Sequence, residues 1–219
     1  MDGCAALMSS PAEWVVDLAE DIEIPGWFFV PEAPEDEQQR RWVEECAEAL
    51  SSVVGSERWD GGVASELDIH EVLRQALDER AATDSDAVFQ VWPLDFMAAV
   101  MCHVNLVTSA SLPSWTDTGA IVHRVEAPHL GAGLQCSTRR TDDDSGMDVV
   151  SVHLIFDNGD VALMLSLGEA PAPLITRVLP EFMMLTEALR IDRADGAPFI
   201  AVAPEGQFDE PPWPFEEAG

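Results

Sequence analysis

Residues 149–167 read VVSVHLIFDNGDVALMLSL, and the order of apolar and polar side chains in this stretch decides the fold. Val150, Val152, Leu154 and Phe156 alternate with Ser151, His153 and Ile155; Asn158-Gly159 follows, and then Val161, Leu163, Leu165 and Leu167. Successive side chains on a strand point to opposite faces, so a period of two gathers the first and last sets on one face of a sheet. Asn-Gly is the favoured two-residue hairpin connection because both residues tolerate positive φ. The stretch predicts an antiparallel hairpin with one strongly apolar face.

The same period extends towards the N-terminus. Segments 88–92, 98–107, 120–126 and 133–139 carry it, and with 149–157 and 160–167 they predict a sheet of about six strands. Helical periodicity flanks the sheet. Trp42, Val43, Cys46, Ala47, Leu50 and Val54 form the stripe of an amphipathic helix over 35–54, with an acid-rich start that suits the helix dipole. Ser65 and Asp68 supply N-caps for a helix over 66–80 carrying Val72, Leu73, Ala76 and Leu77. Ile175, Val178, Phe182, Leu185 and Leu189 predict a helix over 173–190, kinked or split at Pro180. Nearer the N-terminus, Ser10-Pro11-Ala12-Glu13 is a capping box ahead of Trp14, Val15 and Leu18, which predicts a short helix over 11–20. Residues 22–30 read as a strand or extended segment broken by Pro25-Gly26, and 198–202 as a short terminal strand. The fold class is α+β: an antiparallel sheet of about six strands flanked by helices, one domain over 1–203, with a separate tail over 204–219.

The hairpin and helix between Val149 and Ile191 resemble the C-terminal part of PsbP-like domains. Those are α/β/α sandwiches on an antiparallel sheet, and small actinobacterial proteins share the shape. The resemblance implies that fold and a non-enzymatic role, as an accessory subunit or a binder of another protein. No functional residue of the family matches a position in this chain.

Leu, Ile, Val and Phe number 19, 8, 21 and 9 in 219 residues, ample for a core. Eleven Arg and no Lys face 41 acids, a formal charge of −30. That field repels nucleic acid and anionic lipid, so neither a nucleic acid nor a membrane is expected as a partner. The composition, without Lys or Tyr and rich in Ala, Val, Asp and Glu, is of the kind a GC-rich, actinobacterial-type genome encodes. The first ten residues lack a cationic, apolar leader, and the longest apolar run, 96–102, is too short to span a bilayer, which gives a cytoplasmic expectation.

Candidate chemistry is sparse. Cys4, Cys46, Cys102 and Cys136 lack the short spacing of a zinc or redox motif and read as buried thiols. His103, His123 and His153 all fall on expected strands and could converge on one face, with Cys136 or Asp157 as a further zinc ligand. Their wide spacing favours structural histidines instead, so no metal and no cofactor is expected. No nucleophile elbow is present, and adjacent Cys102 and His103 point to opposite faces of their strand. Asp142-Asp143-Asp144 and Asp157-Asn158-Gly159-Asp160 read as solvated turns, and Gly131-Ala132-Gly133 lacks the lysine of a phosphate loop. Trp14 and Trp42 sit on expected helical stripes and Trp92 ends a strand; Trp59 and Trp115 fall in expected loops, where an exposed tryptophan would serve as an interface anchor.

These absences leave a non-catalytic, protein-binding module as the expected function, an accessory or chaperone-like subunit of a bacterial assembly. The alternatives are an immunity-type inhibitor that turns its acidic surface on a basic partner, and an enzyme or metal-binding protein using the sheet histidines. The tail, PEGQFDEPPWPFEEAG over 204–219, is the expected partner-binding element. Its prolines oppose helix and sheet, while Phe208, Trp213, Pro214 and Phe215 offer an extended aromatic peptide with flanking acids for a basic rim. The competing use is a seal over the parent domain. Deleting 204–219 separates them: partner binding lost at unchanged thermal stability identifies a docking peptide, and stability lost with binding intact identifies a seal.

Overall fold

A computed structural model describes residues 13–19, 26–32, 35–54, 68–93, 98–115, 119–143 and 146–204. In chain order the elements are β1 (Trp14–Leu18), β2 (Trp27–Phe29), α1 (Asp36–Val54), α2 (Ile69–Ala81), β3 (Ala87–Val91) and β4 (Val100–Thr108). They continue as β5 (Ile121–Ala127), β6 (Gly131–Thr141), β7 (Asp148–Asp157), β8 (Val161–Pro171), α3 (Ala172–Ala188) and β9 (Leu189–Arg193). Seven strands form an antiparallel sheet in the order β2-β3-β4-β8-β7-β6-β5, and β1 and β9 form a separate two-stranded ribbon. The α+β class is as expected, with β2 as the strand beyond the six.

The hairpin of β7 and β8 lies at the sheet's centre, and its apolar face behaves as its alternation requires. Val152, Leu154, Leu163 and Leu165 join Val178 and Phe182 of α3 in one buried cluster. The opposite face is covered in two pieces. On one side α1 and α2 pack Val43, Leu50, Leu73 and Leu77 against Val88 and Trp92. On the other, Leu112 and Trp115 lie over Val122, Cys136 and Ile155. Helices therefore cover both faces of one sheet.

Several expectations need correction. Residues 14–18 form a strand and not part of a helix over 11–20: β1 pairs antiparallel with β9, Trp14 opposite Arg193 and Leu18 opposite Leu189. Trp14, Val16 and Leu18 face inwards while Val15 and Asp17 face out, a period of two that the β-branched WVVDL run suits. The capping-box residues before Glu13 lie outside the described residues, as do 22–25 of the expected 22–30 segment and Ser65 of the second cap. Asp68 does cap α2, accepting hydrogen bonds from the His70 and Glu71 N–H groups.

The last helix ends at Ala188 rather than 190. Leu189 turns to extended geometry, ψ 141°, so that Leu189 and Ile191 are buried on β9. Pro180 does not split α3. The carbonyl it leaves without a donor belongs to Thr176, and both residues are exposed, so water can serve that group. The hairpin connection also differs by one residue: Asn158 N–H donates to the Val161 carbonyl (3.2 Å), leaving Gly159 and Asp160 as the central pair, with Gly159 at φ 97°. Asn158 Oδ1 accepts from the N–H groups of both Asp160 and Val161, so the asparagine closes the turn with its side chain.

Residues 198–202 form no further sheet strand but a strap with one parallel bridge, Ala201 to Gly131. Ala201 N–H donates to Leu130 O and Ala132 N–H donates to Ala201 O. Gly131 is required there, since its φ is 90° and a β-carbon would lie 2.7 Å from the Ala201 carbonyl oxygen. No helix among the described residues is long and apolar enough to cross a membrane.

Because Leu165 is fully buried between the sheet and α3, Leu165→Ala is expected to cost about 2 to 5 kcal/mol in urea denaturation. A change near zero would show that this face of the hairpin collapses without loss.

Candidate functional site

Between the two apolar covers on the α1/α2 side of the sheet runs a strip of half-buried polar side chains. Strand register builds it. His103 on β4 pairs with Ser166 on β8, Ser166 with His153 on β7, and His153 with Cys136 on β6. Two of the three strand histidines thus share a row. His123 does not: its neighbour Gln135 pairs with Leu154, which places it on the α3 face. Even His103 and His153 are separated by β8, about 10 Å at two strand spacings. Among the described residues no group of three His, Cys, Asp or Glu is placed to hold a metal ion.

Each imidazole of the row is held on both nitrogens. His103 Nδ1 lies 3.2 Å from Ser85 Oγ, and Nε2 lies 3.2 Å from Glu79 Oε1 on α2. His153 Nδ1 lies 2.9 Å from Ser166 Oγ and Nε2 lies 3.2 Å from Ser151 Oγ, which in turn meets Thr138 Oγ1 at 2.7 Å. Trp115 packs over the His153 ring at 4.9 Å between centroids, so this loop tryptophan is a cover and not a free anchor. Burial pushes the His153 pKa down, favouring the neutral ring. The Glu79–His103–Ser85 chain has the donor order of a proton relay, but the Ser85 residue is only 8% exposed. Its geometry ties α2 to the sheet.

The remaining sequence candidates are dispersed. Asp157 accepts from Ser109 Oγ and from the Gly159 N–H, away from the imidazoles. Cys46, Cys102 and Cys136 are buried in apolar clusters, and loss of solvent raises all three thiol pKa values, those of Cys46 and Cys136 to about 12. Phe208, Trp213, Pro214 and Phe215 lie outside the described residues, as do Cys4 and Trp59. Sequence reasoning missed Glu79 and Ser85, whose bonds to His103 span 24 and 18 residues without a local signal. Ser166 was readable as the one hydroxyl in the apolar run of β8.

A second candidate surface is electrostatic. Between residues 32 and 86 the described chain carries thirteen acids, all exposed, against four arginines. Three of those arginines are tied down by carboxylates of their own helix: Arg40 by Glu37 and Glu44, Arg41 by Glu45, and Arg74 by Glu71. The fourth, Arg80, is buried, paired to Glu32 and donating to the Ser85 and Thr83 carbonyls. Eight of the thirteen acids lie on α1 and α2 themselves, which makes this layer anionic.

Comparison with protein-family models, curated proteins and solved structures gives no match to this chain.

His153 generates a pH prediction. Its folded pKa lies below the ordinary 6.5, so between those values the unfolded chain binds a proton that the folded chain does not. Its stabilising contribution is complete above about pH 6.5 and is lost as pH falls through the folded pKa. Urea midpoints measured from pH 7 downwards are expected to fall less steeply in His153→Gln, and an unchanged slope would show that His153 is not linked to folding.

Proposed function

We propose that this protein is a non-catalytic module that binds a basic protein partner through the acidic α1/α2 layer. The observation that carries this reading is the charge distribution: eight exposed acids on α1 and α2, with the arginines of these helices engaged by the chain's own carboxylates or buried. A surface of this kind attracts cations, accelerates encounter with a basic protein and repels nucleic acid. The Glu79–His103–Ser85 chain supports the reading by giving its imidazole a tethering use, which holds the acidic layer on the sheet. An accessory or chaperone-like subunit and an immunity-type inhibitor both use such a face; they differ in what becomes of the partner once bound.

With the full chain as bait in a bacterial lysate, the retained protein is expected to be basic and to elute as salt rises from about 50 to about 500 mM, because screening shortens the range of the attraction. Retention is expected to fall sharply when Glu45, Glu48 and Glu71 are changed to Gln. A partner that survives high salt, or that the variant captures equally well, would refute the acidic-face reading. Hydrolase turnover lost in His103→Ala would refute the non-catalytic one.

A further inference from the structure

Resting on the acidic-face reading, we propose that the furrow between α1 and α2 is the seat of a basic amphipathic helix belonging to the partner, apolar side chains inwards and Arg or Lys along the rims. Two cavities of about 400 and 410 Å³ lie along this furrow. Gln39 lines both and so stands between them.

The lining residues lie on the facing sides of the two helices. On α2 they are His70, Arg74, Leu77, Asp78, Arg80 and Ala81. On α1 they are Asp36, Gln39, Arg40, Val43 and Glu44. At 1.5 Å per residue the α2 lining is about 17 Å long, which matches about twelve residues of a docked helix.

The floor and rims differ in chemistry. Ala81 and Pro31 supply the accessible apolar surface, and beneath them Val43 and Leu77, only 4% and 7% exposed, continue into the core. Asp36 and Asp78 supply rim carboxylates; the lining carboxylates Glu44 and Glu32 pair with Arg40 and Arg80, and Arg40 and Arg74 are also held by Glu37 and Glu71. Arg80 also lines the furrow, and although it is 5% exposed its Nε–H has no acceptor among the described residues. An apolar floor between acidic rims selects an amphipathic basic segment over a uniformly basic one, because the floor rewards buried apolar side chains and the rims reward cations.

The test uses two labelled peptides of about twelve residues and equal positive charge, one with leucines along a helical face and one with serines in their place, titrated onto the full chain at low salt. The leucine peptide is expected to bind about tenfold tighter. Ala81→Trp, which fills the furrow, is expected to abolish that preference at unchanged far-UV circular dichroism. If that variant does not fold, Gln39→Arg at the junction of the two cavities carries the same expectation. Asp36→Asn with Asp78→Asn is expected to weaken the leucine peptide several-fold, while Glu126→Gln with Asp192→Asn, on other parts of the surface, changes it less than twofold. Equal binding of the two peptides, a leucine preference that survives the furrow variants, or equal weakening by the two acid pairs would overturn the furrow and leave the acidic-face reading standing. Failure of both peptides to bind at low salt would overturn both.

Discussion

Strand β8 lies between β4 and β7, so the chain has to find cover for both of its faces, and the rest of the architecture follows from how it does so. On one face Leu163, Leu165 and Leu167 need an apolar lid, and α3 supplies it with Ile175, Val178, Phe182 and Leu185. The helix then passes without a loop into β9, because Leu189 and Ile191 remain buried only if the chain stays against the core in extended form. An extended segment leaves backbone groups to be paired, and β1 satisfies them from the other end of the chain. Trp14 locks that junction, with Phe199 edge-on at 5.6 Å and the Arg193 guanidinium over its ring. Both ends of the domain are therefore held by the layer that covers the central hairpin.

The other face is covered in two parts, and the gap between them explains where the polar strip lies. Helices α1 and α2 reach over β2, β3 and the near side of β4, while Leu112 and Trp115 cover β5, β6 and β7. Ser166 and the two imidazoles occupy the boundary, where half-burial demands side chains that can bond to one another. Each ring nitrogen has a hydroxyl or carboxylate neighbour, so the strip lies under the layers without leaving its imidazole nitrogens unmet.

The charge of the molecule is distributed with similar economy. The eight carboxylates of α1 and α2 repel one another, and part of that cost is offset by arginines placed one helical turn away on the same helices. Arg80 is different, since it is buried at the end of α2 and holds the loop that positions Ser85. The anionic layer is thereby attached to the sheet at Arg80 and at Glu79–His103.

The sequence alone specified the elements whose periodicity is set by local burial: the β7–β8 hairpin, the amphipathic α1, α2 and α3, and the Asp68 cap. It also placed His103 and His153 on strands. Only the tertiary structure decided that 14–18 is a strand, because five residues with Trp and Val satisfy either period and the choice depends on β9, about 175 residues further along the chain. Only register decided that His153 and His103 share a face while His123 does not, since shifting a strand by one residue reverses every side chain on it. The bonds of Glu79 and Ser85 to His103, and the furrow between α1 and α2, arise from surfaces distant in sequence that meet only when the layers close, and no local pattern in the chain encodes such a meeting.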